Sequence, residues 1–145
     1  MPEDKATIMR EFVKAMAAGD IAKALFYCID DAVSIGPGIS DKGKTEIGRG
    51  IEAAVKNFKD VKITEVGNGI SVHGDKAFFE HIFSGTYQGR KFEVLAMGAY
   101  EFSGDKIKSI REVYDRLLIA QQVAKGWPAK PMINMIVKQM EKATK

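Results

Sequence analysis

Sulfur chemistry is nearly absent from this 145-residue chain, which holds one cysteine, Cys28. A single thiol excludes a disulfide framework within the chain and fits a reducing compartment. Histidine is scarce too. The two present, His73 and His81, do not make a metal site at that separation. There is little excess charge, because 22 basic against 19 acidic residues leave a net +3. The lysines are scattered rather than gathered into the basic stripe of a nucleic-acid binder. No apolar run is long enough to cross a bilayer. The segment from Met1 to Arg10 is charged and lacks the apolar centre of a secretory signal. These absences set the expectation: a soluble cytoplasmic protein with no nucleic-acid or membrane partner and no metal or redox cofactor. What is abundant is apolar side chain. At 46% of residues, it suffices for one domain with a substantial core and excludes disorder.

The first half reads as helices. Met9, Phe12, Val13, Met16 and Ala17 recur at helical spacing. Gly19 followed by Asp20 marks a helix end and the N-cap of the next helix. Ile21, Ala24, Leu25 and Cys28 continue as a short second helix that Asp30 and Asp31 close. The two acids read as capping or solvated groups, with catalytic carboxylates as the alternative. From Ser34 to Gly43 the glycines and Pro37 predict a loop. Gly38 and Gly43-Lys44-Thr45 match part of a phosphate-binding loop, but no buried strand precedes them and no parallel βαβ unit follows. Ile47, Ile51, Val55 and Phe58 predict a third helix over Lys44 to Phe58. Gly48 and Gly50 inside it imply a close approach by another backbone or an irregular first turn.

The second half reads as a long antiparallel meander. Val61, Ile63 and Glu65 begin a strand that Gly67 and Gly69 bend and Ile70 and Val72 resume. Gly-Asp-Lys, Gln-Gly-Arg-Lys and Ser-Gly-Asp-Lys turns separate the runs that follow. Strand alternation puts Phe79, His81 and Phe83 on one face, with Val94, Ala96, Gly98 and Tyr100 on one face of the next strand and Ile110, Glu112 and Tyr114 together on the last. Opposite them fall Phe78, Glu80 and Ile82, then Leu95, Met97 and Ala99. A sheet apolar on both faces needs cover on both, and a second subunit is the simplest cover for the face the helices leave bare. Past Asp115 a helix is predicted from Arg116 to Lys125. Trp127, Pro128 and Pro131 follow, and then a last amphipathic helix carrying Ile133, Ile136, Val137 and Met140. The predicted division is a domain over residues 1–125 and a proline-flanked linker with its helix over 126–145.

These pieces resemble the NTF2-like superfamily, its SnoaL-like branch in particular, which includes polyketide cyclases, ketosteroid isomerases and limonene-epoxide hydrolases. The resemblance runs from about Ala6 to Val123. It is carried by Gly19-Asp20, by Leu25 to Asp31, by Gly43-Lys44-Thr45-Glu46-Ile47, and by Phe102-Ser103-Gly104-Asp105-Lys106-Ile107 through Glu112-Val113-Tyr114-Asp115. It implies an α+β cone in which N-terminal helices and a curved antiparallel sheet enclose a hydrophobic pocket, with an added C-terminal helix and a dimer formed through the sheet. In the epoxide-hydrolase pattern an Arg, two Asp, a Tyr and an Asn hold a water. Laid onto this chain, those positions fall on His81, Phe83, Glu112, Ser34 and Gly36, so only the acid at Glu112 is kept. The isomerase pattern of a Tyr and two Asp residues has no clear match.

Two side chains stand out. His81 sits between two phenylalanines on an apolar face, where it is either a core histidine bound to backbone or an acid/base group. Glu112 keeps apolar company that a carboxylate seldom keeps without a partner. If the family geometry holds, the two form a dyad in which Glu112 orients the imidazole. The candidate catalytic pair is therefore His81 and Glu112. The candidate ligand wall is Tyr27, Phe79, Phe83, Val94, Ala96, Tyr100, Ile110 and Tyr114. The function expected from the resemblance is cofactor-free isomerisation, cyclisation, dehydration or hydrolysis of an apolar carbonyl or ring compound. The alternatives are a ligand-binding protein of the same fold without chemistry, and a protein-interaction domain.

Overall fold

The computed structural model describes residues 3–144, so Met1, Pro2 and Lys145, which the N-terminal and C-terminal readings include, lie outside the described residues. Helix α1 spans Lys5–Ala18. The Asp4 side chain caps it by accepting from the Thr7 backbone N–H at 3.0 Å, which satisfies one of the donors a helix start leaves free. Gly19 ends it in the left-handed region at φ 74°, and Asp20 at once caps α2, Ile21–Phe26. Helix α3 spans Gly43–Asn57. What approaches its Gly48 is side chain rather than the expected backbone: a Cβ there would lie 3.3 Å from Ile21 Cγ2 and 3.4 Å from Leu25 Cδ1, so the missing side chain lets α2 seat on α3.

Six strands form one curved sheet in the order β2-β1-β6-β5-β4-β3. They are β1 Cys28–Gly36, β2 Ile39–Lys42, β3 Phe58–His73, β4 Lys76–Tyr87, β5 Arg90–Ser103 and β6 Lys106–Tyr114. β3 to β6 make the expected antiparallel meander. β1 and β2 correct the sequence reading in two places. Cys28 to Asp31 is the start of a strand rather than a helix end, and Ser34 to Gly43 is mostly a hairpin rather than a loop. β1 also joins β6 in parallel, so the sheet is mixed. Local pattern missed these strands because long-range pairing forms them: Val33 to Ile35 lie beside Ser109 to Arg111.

A three-residue excess in β3 between Glu65 and Ile70, opposite only His81 and Phe79, bends the sheet beside the candidate pair. Gly67 and Gly69 supply positive φ there. The Glu80 carboxylate occupies the space where a side chain at Gly67 would go and accepts from Asn68 N–H at 3.0 Å, which pins the bend. The core lies between α1 to α3 and the concave face, with Phe12, Met9, Ile107 and Tyr100 fully buried. The opposite face leaves Phe78, Leu95, Met97 and Val113 exposed. Helix α4, Arg116–Val123, runs beside β5 where β6 has ended, and Gln122 completes the Glu93 backbone with bonds of 2.9 and 3.0 Å. Helix α5, Ala129–Ala143, packs on α4. Trp127 is 86% exposed and anchors nothing within the chain. None of the helices described is long and apolar enough to cross a membrane.

Cys28 is buried, and burial pushes its thiol up to about 11. The fold therefore favours the neutral thiol. The stability this contributes is present below the ordinary value of 9.0 and is lost as pH rises through about 11. A chromogenic disulfide reagent at pH 8 should label the native protein on the order of a hundredfold more slowly than the urea-unfolded chain. Equal rates would show that Cys28 is accessible.

Candidate functional site

A cavity of about 220 Å³ lies between α1, the β1–β2 hairpin and the concave face. Val13 and Met16 of α1 form its roof, Ser34, Ile35, Gly36 and Ile39 its rim, and the sheet supplies the floor. Strand alternation brings Phe79, His81 and Phe83 of β4, Tyr100 of β5, and Ile110, Glu112 and Tyr114 of β6 into this one space. Its surface is aromatic and aliphatic apart from the His81–Glu112 pair, the hydroxyls of Tyr100, Tyr114 and Ser34, and backbone.

The imidazole is almost wholly buried. It stacks on Phe79 at 4.2 Å with the planes 25° apart. Nδ1 lies 3.3 Å from the Phe79 carbonyl oxygen and Nε2 lies 3.4 Å from Glu112 Oε2. Both ring nitrogens thus face acceptors. A neutral imidazole has one N–H and can serve only one of them. The Nε2–Oε2 approach of 3.4 Å brings the two titratable side chains together, though it is longer than a well-formed N–H···O bond. Glu112 is the member open to the cavity, its side chain 24% exposed against 3% for His81.

Gly98 makes room for the pair. It faces Phe79 across β4 and Glu112 across β6. A Cβ there would stand 2.7 Å from Glu112 Oε1 and 3.0 Å from Tyr100 Cε1. Tyr100 is the other polar group at depth. Its ring meets Phe12 edge-on at 6.5 Å, and its buried hydroxyl has no hydrogen-bond partner among the described residues. Burial first, then the Glu112 carboxylate, hold its ionisation well above the ordinary phenol value, so this hydroxyl is a donor and not a base. An unmade buried hydrogen bond costs about 1–3 kcal/mol. Tyr100→Phe should therefore stabilise the protein by about 1 kcal/mol in urea unfolding, while weakening any ligand that accepts from the hydroxyl. A loss of similar size would show that the hydroxyl is already bonded.

Three residues of the expected ligand wall lie elsewhere. Tyr27 closes α2, turns its ring edge to Phe26 at 5.3 Å and accepts at its carbonyl from Ile107 N–H at 2.7 Å; it is core, held where β1 meets β6. Val94 and Ala96 share the correct face but are fully covered, because their register neighbours Phe83, His81 and Tyr114 carry the larger side chains. Sequence reading missed the rim, since it took Ser34 to Ile39 for loop. Ser34 and Gly36 were marked only as positions equivalent to epoxide-hydrolase residues. A larger cleft of about 560 Å³ between α1 and β3 contains Arg10, Lys14 and Glu65. Arg10 and Glu65 there are exposed and already paired at 2.6 Å, so the convergent chemistry is in the smaller space. No cluster of three or more His, Cys, Asp or Glu among the described residues is placed to hold a metal ion.

Comparison with known proteins agrees with the architecture. The profile of the SnoaL-like domain matches residues 9–110. No curated protein matches. Among solved structures, a protein with a ketosteroid isomerase-like fold from Catenulispora acidiphila, in complex with trimethylamine, is 17% identical with a TM-score of 0.74, over 84% of this chain and 94% of that one. An NTF2-like protein from Burkholderia thailandensis is 18% identical with a TM-score of 0.74, over 85% of this chain and 99% of that one. TsrD from Streptomyces laurentii is 21% identical with a TM-score of 0.69, over 80% and 91%. At such identities the likeness is one of fold.

Proposed function

The chain belongs to the SnoaL-like domain family of the NTF2-like superfamily, and from that premise we propose that it binds a small apolar carbonyl or ring compound and moves a proton on it without a cofactor. The observation that carries this reading is the approach of His81 Nε2 to Glu112 Oε2, 3.4 Å apart at the wall of an otherwise apolar cavity. Glu112, open to the cavity, takes a proton from a carbon next to a carbonyl. The Glu112 carboxyl then returns that proton to the enolate at a second carbon, with His81 beside it orienting the carboxylate. Tyr100 O–H donates to the oxygen on which negative charge accumulates. A dry aromatic wall strengthens each of these interactions. Such chemistry serves isomerisation, cyclisation or dehydration. Hydrolysis has less support, because the positions that hold the water in the epoxide hydrolases keep only their acid.

That same loss is what favours the rival reading, a ligand-binding protein without chemistry. Deuterium exchange separates the two. Small cyclic ketones, β-tetralone among them, should exchange the hydrogens beside the carbonyl in heavy water faster with the protein than in buffer. Binding without accelerated exchange would support the rival. We also place the protein in the cytoplasm, on its lone reduced cysteine, and propose a homodimer through the bare sheet face.

A further inference from the structure

We propose that the ligand does not end in the cavity but runs past Phe83 and Tyr114 into a second chamber under α4, where Arg116 receives an anionic group. The substrate class is then an apolar ring or chain bearing a carboxylate arm. This rests on the reading of the cavity as a small-molecule site and specifies what that site accepts.

Four observations lead there. First, the space of about 270 Å³ beneath α4 shares two wall residues, Phe83 and Tyr114, with the cavity of about 220 Å³. Their rings meet at a tilt, 5.6 Å apart and 59° between planes, so this pair alone is the partition that the ligand would have to pass. Second, neither part alone reaches the roughly 300–1,000 Å³ usual for a ligand site, and the two together do. Third, the second chamber is lined by Phe58, Tyr87, Ile119, Ala120 and Val123, with one charged residue, Arg116. Fourth, that guanidinium is held in place. Its Nη1 donates to the Pro37 carbonyl at 3.1 Å, and a side chain at Gly38, where φ is 75°, would take the guanidinium's own space. Among the described residues it has no carboxylate partner. A carbonyl uses one of its five donors, which leaves the planar fork free for an anion. Glu112 on the wall of the first cavity and Arg116 on the wall of the second, its guanidinium reaching to the hairpin turn, fix the ligand's direction: the apolar part goes toward Glu112 and the anion stays at Arg116.

Phenylbutyrate and its uncharged counterpart phenylbutanol provide the test. Each is titrated by calorimetry into the wild-type chain and into Arg116→Gln. The wild type should bind the carboxylate about tenfold more tightly than the alcohol, and Arg116→Gln should bind the two alike. In the wild type, the aromatic signals of Phe58, Phe83 and Tyr114 should all shift on adding phenylbutyrate. Equal affinities in the wild type, or a preference that survives Arg116→Gln, would overturn the anionic arm and leave the cavity reading standing. Failure of both probes to bind at millimolar concentration would overturn the cavity reading and this proposal with it.

Discussion

A His81→Gln protein should keep its fold and lose the exchange activity. The side chain touches no charged partner except Glu112, and glutamine can still donate to the Phe79 carbonyl, so the loss of stability should be modest. The loss of rate should not be. A positioned general acid or base contributes about 10²–10⁴-fold, and glutamine can neither take up nor release a proton. Glu112→Gln should fall as far, because it removes the group that faces the substrate. The double variant should be little slower than either single one, since the two act as one proton site. The check is the rate of deuterium uptake by a ketone that the wild type exchanges, with circular dichroism to confirm folding. Additive losses in the double variant would mean that the residues act separately.

Met97→Glu should turn a dimer into a monomer. Phe78 and Val113 are 61% and 65% exposed, and Leu95 and Met97 lie beside them on the same face. Met97 stands opposite Glu80 on β4 and Val113 on β6. A glutamate at this position would be buried unpaired in the proposed interface and would also oppose Glu80. Desolvating such a charge costs several kcal/mol, which weakens association by roughly a hundredfold or more. Light scattering at micromolar concentration should report a dimer mass for the wild type and a monomer mass for the variant. A wild-type monomer would remove the reason for the apolar face, and another occupant would have to be sought.

The parts legible in the sequence were those with a local cause. Gly19-Asp20 names a helix end and a helix start because a left-handed residue and a capping acid each do one local job. The Gly-Asp and Gln-Gly turns marked the hairpins of β3 to β6, and alternation from those turns then put His81, Glu112 and Tyr100 on one face. Their meeting in one cavity followed from register alone. The parts that stayed hidden have distant causes. β1 exists because β6 lies beside it, and nothing within Cys28 to Gly36 shows that pairing. Val94 and Ala96 lie on the correct face yet are covered, since coverage depends on neighbouring strands' side chains rather than on their own. Gly98 read only as one residue of a strand face, although a side chain there would stand 2.7 Å from Glu112 Oε1 and 3.0 Å from Tyr100 Cε1. Arg116 read only as a helix start, because its place over Pro37 depends on a hairpin that the sequence suggested was loop.

The proposed chemistry requires a small ligand and a mobile proton to meet between His81 and Glu112. The most direct test follows the two ring nitrogens of selectively labelled His81 by nitrogen NMR during titration with β-tetralone. The Nε2 signal should shift saturably at the same midpoint as exchange activity, and the shift should be absent in Glu112→Gln. An imidazole spectrum that stays fixed while the ketone saturates the protein would contradict it.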